Sequence, residues 1–266
     1  MFKACLVHFE TRWAQYVMHE FARLGMRSRR VRLWRQSIAV ATRTSMIEEV
    51  VWDPTDPASV QSAIQGGNFI FFDGPHALAT TPLADVVRHL RALCDGLRQG
   101  GGDRVILMSS CLMAPRVRGE CLADERARAT PCGASELADK LAILHMEVDR
   151  YAVDAMHTNA LMPGLVWGPQ QPVVLGAAHS VNIMTQRECA RMMHAVCTEG
   201  RAGARYLIGG TNTTRPQWLA LQDAPSGLDV SAANRLAAGR DHALDTSLAR
   251  RHLGLEPVAS VGDLTS

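Results

Sequence analysis

The sequence predicts an α/β protein in which a parallel β-sheet carries helices on both faces. Three observations lead there. Short apolar runs alternate with segments of helical periodicity up to about residue 161. Glycines punctuate the junctions. The 266 residues are 47% hydrophobic, enough for one sizeable core.

The elements follow in order. Phe2 to Phe9 reads as a first buried strand. Trp13, Tyr16, Val17, Phe21 and Leu24 recur at helical spacing, and Gly25 ends that helix. Arg30 to Trp34 and Glu49 to Trp52 are the next strands. Asp56 to Gln65 is a short helix, with Pro57 early and Gly66 beyond its end. Phe69 to Phe72 is a fourth strand. Leu83 to Leu97 is a helix closed by Gly100, Gly101 and Gly102. Arg104 to Met108 is a fifth strand that runs into Ser109 and Ser110. Ser135 to Ala152 is a long helix, and Thr158 to Leu161 a sixth strand. Beyond Pro169 the rhythm weakens to a helix over Gln186 to Cys197 and a short strand over Tyr206 to Ile208. A core over residues 1–168 and a smaller, interleaved substrate-side region over 169–266 are expected. Ligands of such sheets bind beyond the carboxyl ends of the strands.

Composition narrows the function. Net charge is +2, from 28 basic and 26 acidic residues, which argues against a dedicated nucleic-acid binder. Arg27, Arg29, Arg30, Arg32 and Arg35 do cluster. They read either as a solvated strand edge or as an anion-binding rim. The seven cysteines are scattered without a CxxC pair, so neither a disulfide framework nor a metal site is expected. No signal peptide and no membrane span are recognisable, which points to a cytoplasmic protein. The 12 methionines suit an adaptable, greasy pocket.

Four segments resemble the extended short-chain dehydrogenase/reductases, in the right order. Val51-Trp52-Asp53-Pro54 is similar to that family's third-strand segment, and the resemblance places Asp53 near an adenine. Arg104 to Ser110 is similar to its fifth strand and serine pair. Leu161 to Pro169 resembles its "RPxxxYGP" segment, with Met162 for the arginine and Trp167 for the tyrosine. Asp245 to Ala249 with Leu253 to Pro257 resembles its tail. The resemblance, to the NAD-dependent epimerase/dehydratase branch, implies a Rossmann-like doubly wound sheet, a small-molecule substrate and a homodimer.

The departures from that pattern direct the functional expectation. Where the family has TGxxGxxG, this chain reads from Val7 to Ala14. His8 and Thr11 replace the first two glycines and Ala14 the third. Glycine serves the tight turn and the close approach of pyrophosphate, whereas Ala14 satisfies a need for a small residue only. Glu10 places a carboxylate at the helix N-terminus, stabilised there by ~0.3–1 kcal/mol and repulsive to a diphosphate. Side chains at 8, 10 and 11 are thus expected to plug the phosphate site, leaving His8, Thr11, Ala14 and Asp53 as a vestigial cofactor site. In the YxxxK motif, Glu136 stands for tyrosine and Lys140 survives. The two share a helix face. They form either a plain surface ion pair or a proton-transfer device, depending on burial. Ser109, Ser110, Cys111, His76 and Trp167 are the substrate-side candidates, Ser110 as a carbonyl-binding hydroxyl. Each has a plainer reading: a strand-end cap for the serines, polar surface for His76, packing for Trp167. Glu125 resembles the acidic residue before the family's tyrosine. His145 and His157 receive no role.

The expectation is therefore a non-redox enzyme without cofactor, NAD(P) being disfavoured. Glu136, Lys140 and Ser110 would move protons on a small organic substrate of secondary-metabolite type, in isomerase, cyclase or lyase chemistry. Two alternatives stand beside it: a catalytically dead binding or scaffolding homologue, and an NAD(P)-dependent reductase or epimerase with an unusual cofactor loop.

Overall fold

A computed structural model describes residues 2–33, 47–100, 102–113, 136–153, 157–167, 180–214, 216–217 and 244–254. Its main sheet has seven parallel strands. Helices cover both faces. The strands are β1 (Lys3–Val7), β2 (Arg27–Leu33), β3 (Ile47–Trp52), β4 (Phe69–Asp73), β5 (Arg104–Met108), β6 (His157–Pro163) and β9 (Arg205–Ile208), in the spatial order β3-β2-β1-β4-β5-β6-β9. β7 (Leu165–Trp167), β8 (Ser180–Thr185) and β10 (Thr211–Thr214) form a separate three-stranded sheet in the order β10-β8-β7. The doubly wound architecture expected from the sequence is present.

Alternation along each strand sorts the core into two layers. Cys5, Val7, Ile70, Phe72, Val105 and Leu107 face α2 (Pro57–Ile64), α3 (Gly74–Thr80), α4 (Leu83–Gly100) and α5 (Glu136–Val153). Ala4, Leu6, Phe69, Phe71 and Ile106 face α1 (Thr11–Arg23), α6 (Gln186–Glu199) and α7 (Ser247–Leu253). Caps fix the helix ends. Glu10 caps α1, Asp56 caps α2 with Pro57 behind it, and Thr185 with Glu188 forms a reciprocal capping box on α6. Gly25, at φ 78°, turns the chain out of α1, as the sequence implied.

β2 corrects the reading of the arginine cluster. Arg29 and Arg30 are buried, neither on a solvated edge nor on an open rim. The parallel register sets Arg29 opposite Glu48 and Arg30 opposite Glu49. The side chains pair at 2.8 and 3.1 Å. Arg29 also donates to the Ser62 and Ala63 carbonyls at the C-terminal end of α2, where the helix dipole favours a cation. Arg35 lies outside the described residues. Cys5, Cys94, Cys111, Cys189 and Cys197 are buried in the core, and burial raises the Cys5 thiol to about 11. Among the described residues no helix is long and apolar enough to cross a membrane, and no group of side chains is set to hold a metal ion.

Candidate functional site

The order of the strands reverses between β1 and β4, and a doubly wound sheet opens its ligand crevice at such a switch point. The first turn there, from β1 into α1, is built by His8. Its φ is 61°, the one left-handed non-glycine residue among those described. The backbone therefore makes the turn that glycine would ease, at a strain of roughly 1–2 kcal/mol. The kink also redirects the side chain. Strict alternation would point residue 8 toward α1. Instead the imidazole packs on the α4 side, edge-on to Phe72 and stacked on His89, with Nε2 3.0 Å from His89 Nδ1. Trp52 closes the other flank of His89. Burial pushes His8 down to about 3 and lowers His89, so both rings are neutral near pH 7.

This placement revises the steric expectation for position 8, because the ring is folded into the core rather than laid over the turn. Ala14 is buried against the sheet, the role its small size implied. Thr11 is the first residue of α1. The group that stands at the N-terminus of α1 is Glu10. Its Oε2 accepts the Trp13 N–H at 2.9 Å, while its carbonyl accepts the N–H of Ala14. Beneath the turn the buried Arg30 guanidinium donates to the Phe9 carbonyl at 3.4 Å. Across the crevice Asp73 ends β4 and caps α3, accepting the His76 N–H at 3.0 Å. Burial raises the Asp73 carboxyl, and the nearby Glu10 charge adds to the rise. The crevice is thus flanked by two carboxyls, each engaged with a helix N-terminus. A β1–α1 turn whose amide already receives an anionic oxygen has the donor set for a phosphate. The obstacle is the resident carboxylate.

The remaining candidates fall into two groups. Asp53 sits at the end of β3 and pins its own turn, accepting Thr55 N–H and Oγ–H at 2.9 and 2.7 Å. His76 lies in the first turn of α3, half-buried. Ser109, Ser110 and Cys111 end β5 in the core. Ser109 Oγ lies 2.8 Å from Nε2 of His145 on α5, both 1% exposed, and burial drives His145 down to about 3. That contact staples the strand end to the helix, too deep to meet solvent. Trp167 is half-buried against the core, and His157 is exposed. Apart from this group, Glu136 and Lys140 make a 2.5 Å ion pair with side-chain exposures of 82% and 32%. The Lys140 ammonium holds the Glu136 carboxyl below its ordinary range. A solvated, permanently ionised carboxylate is a poor proton donor. Glu125 lies outside the described residues. Sequence reasoning missed Asp73 and His89. His89 had a signal, since it falls on the apolar face of α4 with Val86, Leu90 and Leu93.

Known structures share this fold over their whole length. A nucleoside-diphosphate-sugar epimerase from Pseudomonas aeruginosa is 18% identical with a TM-score of 0.75, covering 99% of this chain and 95% of its own. Vestitone reductase from alfalfa is 14% identical, TM-score 0.72, at 99% and 95% coverage. The dTDP-glucose 4,6-dehydratase of Bacillus anthracis, solved in complex with NAD, is 11% identical, TM-score 0.73, at 98% and 93%. No protein-family model matches the sequence, and the comparison with curated proteins returns no match.

The likeness to these structures, at 11–18% identity, is one of fold. Two expectations are corrected by these likenesses. The non-redox reading, and the expectation of no cofactor, rested on the lost glycines and on Glu136 in place of the tyrosine. The fold instead matches a reductase, an epimerase and a dehydratase solved with NAD. The turn that glycine serves is also retained, by His8.

Proposed function

We propose that the protein binds a nicotinamide dinucleotide at the β1–β4 crevice and works as an NAD(P)-dependent reductase or epimerase of the extended short-chain type, with a modified cofactor loop. The observation that carries this reading is the left-handed turn at His8. A histidine strained into glycine's conformation keeps the passage from β1 into α1 that a dinucleotide-binding sheet uses. The donor set fits the group, since the start of α1 already holds a carboxylate oxygen on the Trp13 amide. The bound dinucleotide would supply the hydride. Thr11 and Ala14 would let its phosphates approach α1, and Asp53 would stand by its adenosine end. Lys140 would meet its ribose, and Ser110 a substrate carbonyl on a small organic molecule.

The exposure of Glu136 favours a second reading: a homologue that binds the nucleotide and has lost hydride transfer. Glu136, the residue of α5 that stands for the tyrosine of the resembled family, is solvated rather than buried. Calorimetric titration with NAD(H) and NADP(H) tests the binding claim, and saturable heat at micromolar to millimolar ligand supports it. Absence of binding by all four would overturn both readings. Single-turnover oxidation of bound NADH by carbonyl substrates separates one reading from the other.

A further inference from the structure

Resting on the dinucleotide reading, we propose that Glu10 is an autoinhibitory latch: its carboxylate holds the α1 amide that a phosphate needs, and ligand binds only when that side chain swings away. Four observations converge on position 10. Its Oε2 sits 2.9 Å from the Trp13 N–H, at hydrogen-bond distance. Glu10 itself is half-buried at the mouth of the crevice, so its side chain has solvent to rotate into. The buried Arg30 guanidinium, paired with Glu49, donates to the Phe9 carbonyl of the same turn and still attracts the Glu10 charge. Glutamate is also an uncommon N-cap. Asp, Asn, Ser and Thr reach the N2 or N3 amide with shorter side chains, and any of them would cap α1. The long side chain supplies capping together with mobility.

The consequence is specific to the charged part of the ligand. Adenosine has no phosphate to compete with the carboxylate, so Glu10 leaves its affinity alone. AMP, ADP and NADH must displace the carboxylate from the Trp13 amide. Two like charges a few ångström apart repel enough, even in a water-like dielectric, to weaken a diphosphate about tenfold.

The test is a ligand ladder of adenosine, AMP, ADP and NADH, titrated by calorimetry into the full chain and into Glu10→Gln and Glu10→Asp. Far-UV circular dichroism and the urea midpoint certify the fold of each variant. Glu10→Gln is expected to tighten ADP and NADH about tenfold, AMP less, and adenosine within about twofold. Glu10→Asp keeps both charge and cap and should stay close to the parent. Equal ADP affinity in parent and Glu10→Gln would overturn the latch while leaving the dinucleotide reading intact. An equal gain for adenosine would overturn it as well, since the effect would then not depend on the ligand's phosphate charge. Failure of parent and variants alike to bind any member of the ladder would sink both.

Discussion

Acidification from pH 7 to pH 5 will remove about 4 kcal/mol of folding stability through two histidines alone. His8 and His145 are buried as neutral rings, with affinities for protons pushed from 6.5 down to about 3. In the unfolded chain each titrates normally. Above pH 6.5 both states are neutral and the two histidines leave stability unaffected by pH. Below it the unfolded state takes up protons that the folded state refuses, and stability falls until pH approaches 3. Each unit costs about 1.4 kcal/mol per histidine, so 1.5 units and two groups give roughly 4 kcal/mol, a large part of a typical domain's 5–15. His89 acts in the same direction. Asp73 acts in the opposite one, because its raised affinity for a proton stabilises the fold as pH falls toward the acid range. The clean measurement is therefore a difference. Urea unfolding of the parent, His145→Gln and His8→Asn at pH 7.5 and 5 should show each variant losing about 2 kcal/mol less than the parent on acidification. Asn is chosen at position 8 because it tolerates the left-handed backbone. Parallel pH slopes for parent and both variants would refute the assignment of these rings as buried neutral bases.

Other perturbations probe the rest of the structure. Arg30→Met leaves the Glu49 carboxylate between β2 and β3 with Arg32, 3.7 Å away, as its remaining cation, and should cost roughly 1–3 kcal/mol in urea unfolding. Gly209→Ala would set a new methyl 2.1 Å from Asn182 Oδ1. Relieving that overlap should cost roughly 1–3 kcal/mol by the same measurement. Glu136→Ala, by contrast, removes only the exposed partner of Lys140, and its thermal midpoint should coincide with the parent's.

Residue patterning made the sheet legible because the central strands β1, β4 and β5 are short apolar runs buried on both faces, whereas the edge strand β3 leaves Val51 exposed. Arg104–Met108 could be read to the residue. β7, β8 and β10 were not found: β7 is apolar but only three residues long, and Ser180, Asn182, Thr211 and Asn212 break the apolar pattern of β8 and β10. The helix Gly74–Thr80 was hidden by Gly74 and Pro75 at its start, which read as loop although proline suits a first helical turn. The arginine cluster misled because charge in a sequence looks solvated. Only the register of β3, placing Glu48 and Glu49 alongside, shows that the cations are buried in pairs. At the candidate site, position 10 was readable from residue type alone, since a carboxylate before a helix is a cap. Position 8 was not. Its ring is steered by one backbone torsion, and no pattern in the sequence announces that a histidine will take a positive φ.

A crystal structure grown with NADH tests the central claim most directly. The account predicts the dinucleotide in the β1–β4 crevice, a phosphate oxygen on the Trp13 N–H, the Glu10 side chain rotated away, and His8 still paired with His89. A dinucleotide bound elsewhere, or one seated over the turn while Glu10 keeps its 2.9 Å contact with Trp13, would contradict it.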